Sequence, residues 1–133
     1  MNDDEISRAL FDEGVTLFNC ESYFECHEVW EALWKHSSGA DRIAIQGMIQ
    51  SAAAILHARR GNRKGAHTLW SKAASKLSRL ADDYRGIALA QFRAAMAEFF
   101  DAPPDQWPSA ASPRIAKDAS AQVRQISASE RSV

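Results

Sequence analysis

Apolar residues recur at intervals of three and four along most of the chain, which is the spacing of amphipathic helices. No segment alternates apolar and polar residues strictly enough to predict a strand. The pattern therefore predicts an all-α fold, a compact bundle of about five helices. Their expected ranges are Asp3–Phe18, Tyr23–Lys35, Asp41–Arg60, Arg63–Ala81 and Arg85–Phe100.

A weak internal repeat supports a hairpin arrangement of the first four helices. Cys26-His27-x-x-Trp30 aligns with Ala66-His67-x-x-Trp70 at an offset of 40 residues. Helices one and two would form one hairpin and helices three and four a second, each resembling a tetratricopeptide-type pair. Two such hairpins are fewer than a solenoid needs, so a closed bundle is expected.

The chain of 133 residues is one domain's worth of sequence. We expect residues 1–102 to form a single helical domain. Residues 103–133 are rich in proline, serine and alanine and read as an arm and tail. One helical piece is expected near Ile115–Ile126, and Trp107 is expected to anchor the arm on the bundle.

Charge is balanced overall but unevenly distributed. The net charge is −1, which gives no support for nucleic-acid binding. Residues 1–36 carry nine acidic and two basic side chains, whereas the rest carry eight acidic and fourteen basic. One interpretation is attraction between the two parts, within one fold or across a homodimer. The other is a basic patch for an anionic ligand, at Arg59, Arg60, Arg63 and Lys64.

The N-terminus lacks the apolar core of a signal peptide, and the most apolar run is too short to cross a membrane. Two cysteines are too few for a disulfide framework. We therefore expect a cytoplasmic protein with reduced cysteines and no membrane partner.

Helix two carries the most informative pattern. At about 100° per residue, five of its side chains share one stripe: Tyr23, His27, Trp30, Glu31 and Trp34. Because large aromatic residues favour the interior, we expect His27 and Glu31 to be buried beside them. Buried polar groups need partners. Helix three offers a matching polar row, composed of Arg42, Gln46, Gln50, Ala53 and His57.

Three interpretations of this polar cluster are open. His27, Glu31 and His57 could hold zinc, iron or manganese, since two histidines and one carboxylate suit a catalytic metal with an open water position. Glu28 or Glu31 could then accept a proton. The ligand-binding side chains would be Arg42, Gln46, Gln50, Trp30, Trp34 and Tyr23. The other interpretations are a metal-free pocket for a small molecule and a buried hydrogen-bond network without chemistry.

These residues resemble the signature of the family called domain of unknown function 309. The resemblance begins with Leu17-Phe18-Asn19 and Tyr23-Phe24-Glu25-x-His27-Glu28-x-Trp30-Glu31-x-x-Trp34. It continues through Arg42 and Gln46-Gly47-x-Ile49-Gln50 to Arg60-Gly61-Asn62-x-x-Gly65-Ala66. Tyr84-Arg85-Gly86-Ile87 is similar as well. The resemblance implies a small all-helical bacterial or archaeal protein whose functional motif falls on His27, Glu31 and Trp34, with metal binding and hydrolysis as the implied chemistry.

The leading hypothesis from the sequence is a polar pocket between helices two and three that holds a divalent metal and has hydrolase-like chemistry. The alternative is a non-catalytic interaction module that forms a homodimer or binds a peptide or protein. In that case the His, Glu, Gln and Arg cluster is structural.

Overall fold

The computed structural model describes residues 2–118, and it confirms the all-α bundle with five helices. A two-stranded antiparallel hairpin, β1 (Asp83–Tyr84) and β2 (Ile87–Ala88), precedes the last helix. A single 3-10 turn follows it at Pro104–Gln106. The helices are α1 (Asp3–Asn19), α2 (Tyr23–Lys35), α3 (Gly39–Arg59), α4 (Arg63–Leu77) and α5 (Leu89–Asp101).

The helices follow one another as packed neighbours: α2 lies between α1 and α3, and α3 lies between α2 and α4. The α3–α4 contact is close because residue 47 is a glycine. A Cβ there would lie 3.1 Å from Leu77 Cδ2 and 3.2 Å from Lys76 Cβ. A glycine at position 47 thus permits the close approach of α4 to α3.

The core lies where α1, α2 and α5 meet and is built around Trp30. Its indole is fully buried and donates a hydrogen bond to the Phe11 carbonyl at 3.2 Å. The rings of Phe11 and Phe18 stack on it, and Phe92 meets Phe18 edge-on. Gly14 leaves room for the indole, which any Cβ at that position would overlap.

The predicted boundaries of α4 and α5 are wrong. Helix α4 ends at Leu77 rather than Ala81, and the Arg93 guanidinium donates hydrogen bonds to the carbonyls of Leu77, Leu80 and Ala81 at 3.1–3.3 Å, which stabilises this helix end. Helix α5 begins at Leu89 rather than Arg85. The intervening hairpin turns at Arg85 and Gly86, which both have positive φ.

The arm crosses back over the bundle. Trp107 is buried against Phe99 and Phe100, as expected of an anchor. The Asn19 side chain bonds both the N–H and the carbonyl of Ile115. The arm is not helical between Ile115 and Asp118, and the rest of the helical piece predicted at Ile115–Ile126 lies outside the described residues. Within residues 2–118, no helix is both long and apolar enough to span a bilayer.

Candidate functional site

The polar pair on α2 is only partly covered. His27 Nδ1 lies 3.6 Å from Glu31 Oε2, and the two side chains are 35% and 44% exposed. The prediction that both are buried is therefore wrong. The reason is that α2 turns Cys26, Trp30 and Leu33 toward the core, which leaves one edge of the predicted stripe at the surface.

The aromatic residues of the stripe do not line one pocket with His27. Trp30 faces α1, where its N–H is already bonded. Tyr23 is buried with its ring edge-on to Phe18. Its hydroxyl lies beside Ser112 and Arg59 without a hydrogen bond of normal geometry to either, and burial raises the pKa of Tyr23.

Arg42 closes the α2–α3 hairpin. Its guanidinium stacks on the Trp34 ring at 3.7 Å from the ring centre. The same group donates hydrogen bonds to the carbonyls of Trp34 and Ser37 at 3.1 and 3.2 Å. Since those carbonyls end α2, Arg42 acts as a cap on the hairpin. The indole N–H of Trp34 is buried without a hydrogen-bond partner within residues 2–118.

The remaining residues of the α3 row have separate partners. Gln50 accepts a hydrogen bond from Lys76 Nζ at 3.0 Å, which ties it to α4. His57 Nδ1 lies 2.9 Å from Asn62 Nδ2, so its ring belongs to the α3–α4 turn. Gln46 is half-buried and makes no side-chain hydrogen bond with the described part of the chain.

Of the proposed metal ligands, the structure brings together only His27 and Glu31. In the described range, no group of three or more His, Cys, Asp and Glu side chains is placed to hold a metal ion. The third proposed ligand, His57, is paired with Asn62. Glu28, proposed as a proton acceptor, is exposed. These residues therefore do not complete a three-ligand site within residues 2–118.

Most of these side chains instead share one surface of the layer formed by α2, α3 and α4. At helical spacing, the partly or fully exposed positions of the three helices lie on the side away from the core. The Lys76–Gln50 bond places the α4 stripe next to the α3 row. We call this surface the outer face; its residues are Phe24, His27, Glu28, Glu31, Lys35, Arg42, Gln46, Gln50, Ala53, His57, Lys72, Lys76 and Arg79.

Charge divides the outer face along α3. The α2 side carries Glu28 and Glu31 with one lysine, whereas the α4 side carries Lys72, Lys76 and Arg79 and no acidic side chain. The whole segment 59–80 has seven basic and no acidic residues. Among residues 2–118, the only ion pair between a base of that segment and an acid of residues 1–36 joins Arg59 to Glu21. The acidic and basic sides thus remain largely unpaired within the described fold.

Sequence reasoning missed a polar network that links α1, α3 and β1–β2. The Arg85 guanidinium bonds Asp41 at 2.7 Å and Ser7 at 3.1 Å, and Asp41 also accepts from the Tyr84 hydroxyl. Three residues of this network, Ser7, Asp41 and Arg85, line a cavity of about 580 Å³ near the start of α1. The sequence feature that could have indicated this network is Tyr84-Arg85-Gly86-Ile87. Its Arg85 was predicted to begin a helix, whereas Arg85 and Gly86 form a turn with positive φ.

This network shifts the pKa of its members. Partial burial tends to raise the pKa of Asp41, but the hydrogen bonds from Arg85 and Tyr84 outweigh burial and lower it. Burial and the bond to Asp41 raise the pKa of Tyr84 to about 12. The carboxylate and the phenol thus hold their ordinary charge states more firmly than when free in water.

Arg59 does not belong to an open basic patch, because its guanidinium is hydrogen-bonded to residues of the C-terminal arm. Its guanidinium donates to the Trp107 carbonyl at 2.8 Å and to Ser112 Oγ at 2.6 Å, and Glu21 lies 3.5 Å away. A cavity of about 650 Å³ between the arm and the α2–α3 pair is lined by Tyr23, Leu56 and Arg59 among others. Arg60, Arg63 and Lys64 remain exposed.

The fold and this surface define a small helical-bundle protein with a three-helix layer. Residues 11–69, which contain all the candidate residues on α2 and α3, match the model of the family described as Domain of unknown function (DUF309). The family resemblance inferred from the α2 and α3 residues is thereby confirmed over that segment.

A relative from Bacillus subtilis (strain 168), the "Uncharacterized protein YpuF", is 40% identical to this chain over 63 residues. The aligned part covers 47% of this chain and 36% of YpuF. The chain therefore matches about a third of the length of that relative.

Proposed function

We propose that this chain is a non-catalytic interaction module, and that its outer face binds a protein surface of opposite charge pattern. The partner would be basic where it covers α2 and acidic where it covers α4. Pairs of antiparallel helices commonly use such surfaces to bind other proteins. The proposal is of the same class as the second function considered from the sequence. It differs in one respect, because the His, Glu, Gln and Arg side chains belong to the binding surface and not to a structural cluster.

The observation that carries this proposal is the unpaired charge of the outer face. Glu28, Lys72 and Arg79 make no ion pair among residues 2–118. Complementary charge across an interface steers association and selects partners. A divided face of this kind favours one partner orientation, because a reversed partner would place like charges together.

Exposed apolar side chains support the same proposal. Phe24, in the first turn of α2, is 54% exposed, and Ile43, near the start of α3, is 44% exposed. These two residues flank the polar row of α3. Scattered apolar side chains are normal on a surface, but here they add apolar area at both ends of a charged face, as in an interface core.

The proposal is tested by photocrosslinking in the organism that encodes the chain. A benzophenone amino acid at Gln46, in the middle of the outer face, should form covalent adducts with a protein. The matched control is the same amino acid at Thr16, an exposed position on α1. Adducts from position 46 should disappear when Glu28→Lys and Glu31→Lys are added, because both sides of the outer face are then basic. Absence of adducts, or equal adducts from both positions, would overturn the proposal.

Metal binding with hydrolase-like chemistry is the second proposal, favoured by the 3.6 Å approach of His27 to Glu31. Two side chains at this spacing on one helix reach a common ion. The remaining ligands would have to come from outside the described residues of this chain. Zinc, iron or manganese that disappears with His27→Ala would support it.

A further inference from the structure

We infer that the partner of the outer face is a second copy of this chain, an inference that rests on the function proposed above. The face is self-complementary, because its acidic α2 side and its basic α4 side lie on opposite flanks of α3. A two-fold axis parallel to α3 and lying in the interface would place α2 of each copy on α4 of the other. In such an isologous interface the acidic α2 side of each copy faces the basic α4 side of the other, so both contacts are attractive.

The positions of the charges along the helices agree with this axis. Trp34 contacts Arg42, so the end of α2 lies level with the start of α3. Glu31 precedes Trp34 by about one turn and is therefore level with residues near Gln46. Lys76 bonds Gln50 through the end of its side chain, and its Cβ would lie 3.2 Å from a Cβ at position 47, so its backbone is level with residues 47–50 of α3. Glu31 and Lys76 thus differ by no more than about one turn along α3, roughly 5 Å.

Rotation about an axis parallel to α3 leaves this separation unchanged. Glu31 of one copy consequently arrives about one helical turn from Lys76 of the other, within the reach of two long side chains. A shallow hollow of about 280 Å³ beside α2 is lined by Glu28, Glu31, Ala32, Lys35 and His36. Its two carboxylates outnumber its one lysine, which favours a further cationic side chain there. Lys72 and Lys76 of the second copy supply such groups.

The centre of the interface would be the outward row of α3. Arg42, the cationic residue of that row, turns its guanidinium onto Trp34 and the end of α2. The rest of the row includes Gln46, Gln50 and Ala53, which carry no net charge and have side chains of small or moderate size. Such residues let two α3 helices meet side by side without repelling each other. The acidic and basic stripes would then form two equivalent flanks around this neutral strip.

The size of the face predicts a weak dimer. Three helices about 9 Å apart and about 20 Å long outline roughly 500 Å² of surface. Stable interfaces bury about 800 Å² per partner, and smaller ones are weak and transient. We therefore expect a dissociation constant in the micromolar range that depends strongly on salt, since exposed charges are screened within about 10 Å at 0.1 M.

Sedimentation of the full chain at about 1–100 μM tests this inference. We expect dimers at low ionic strength and at least a tenfold weaker association in about 0.5 M salt. The variants E28K/E31K and K72E/K76E should each be monomeric. A mixture of the two should again form dimers. The first variant is basic on both α2 and α4, the second is acidic on both, and the two faces therefore attract each other.

The control is D12K/E13K, which reverses the same number of charges on exposed positions of α1, away from the outer face. It should associate like the natural chain. Circular dichroism checks that every variant stays helical. A natural chain that is monomeric at about 100 μM in low salt would overturn the inference, as would a mixture that does not associate. If position 46 still crosslinks to a different protein, the proposed function stands and only the self-association fails.

Discussion

The two sides of α2 differ in what they contact. The inner side buries Cys26, Trp30 and Leu33 in the core with almost no exposure, and Cys26 and Trp30 contact α1. The other side leaves His27 and Glu31 partly exposed on the outer face. Sequence periodicity puts Trp30 and His27 on one stripe, yet a rotation of a few tens of degrees separates them into core and surface. The comparison indicates that the inner side provides stability and that the outer side is available for binding.

The largest effect is expected from Trp30→Ala. The substitution removes a fully buried indole, its stacked rings and its hydrogen bond to Phe11. Loss of a buried tryptophan costs about 3–5 kcal/mol of unfolding free energy. Urea denaturation followed by circular dichroism measures it. A loss below about 1 kcal/mol would contradict the assignment of the inner side as the core.

Gly14→Ala should also destabilise the fold, by about 1–3 kcal/mol, because the new Cβ overlaps the Trp30 indole. The matched variant is Gly47→Ala, whose Cβ meets Leu77 at 3.1 Å, a tight contact with a flexible side chain. Both variants gain the same helix propensity, about 1 kcal/mol. The difference between their unfolding free energies therefore reports the contact with Trp30, and equal values would argue against it.

A smaller, pH-dependent effect is expected from Asp41→Asn. The pKa of Asp41 is lower in the folded chain than in the unfolded chain. Its network therefore stabilises the fold above the ordinary carboxyl pKa of about 4, and this contribution is lost as the pH falls through the lower folded-state value.

Thermal unfolding between about pH 7 and pH 2.5 checks this prediction for Asp41→Asn and for Asp12→Asn, an exposed aspartate on α1. Removal of Asp41 should flatten the acid loss of stability, measured around its ordinary pKa of about 4. Identical pH profiles for the natural chain and Asp41→Asn would show that the polar network contributes nothing to folding.

The smallest effect on stability is expected from His27→Ala. The side chain is partly exposed and contacts Glu31 across one turn of the same helix, so the unfolding free energy should change by less than about 0.5 kcal/mol. The same urea experiment as for Trp30→Ala measures it. A loss comparable to that of Trp30→Ala would indicate that His27 contributes to the core, and would contradict the difference proposed between the two sides of α2.

The presence of the five helices was predictable from apolar spacing, and the predicted range of α2 agrees with the structure at both ends. The exposure of His27 was not predictable from the sequence. Periodicity gives the direction of a stripe on a helix, but it does not give which edge of that stripe a neighbouring helix covers. The β1–β2 hairpin was missed because it consists of two-residue strands and depends on the positive φ of Arg85.

The contacts of the residues in the α3 row could not be predicted from the sequence either. Arg42, Gln50 and His57 share one helix face, which suggested a common site. In the structure they bond Trp34, Lys76 and Asn62 respectively, because three different elements border that face. A polar row along a helix thus predicts a surface, whereas the partner of each residue depends on the packing around it.

The most direct test of whether the outer face is a binding surface or a metal centre is the metal content of the purified chain. Protein prepared without affinity tag or chelator would be measured by elemental mass spectrometry, alongside His27→Ala. We expect no stoichiometric zinc, iron or manganese in either sample, and the same trace content in both. Near-stoichiometric metal in the natural chain that disappears with His27→Ala would contradict the account and assign the His27–Glu31 pair to a metal site.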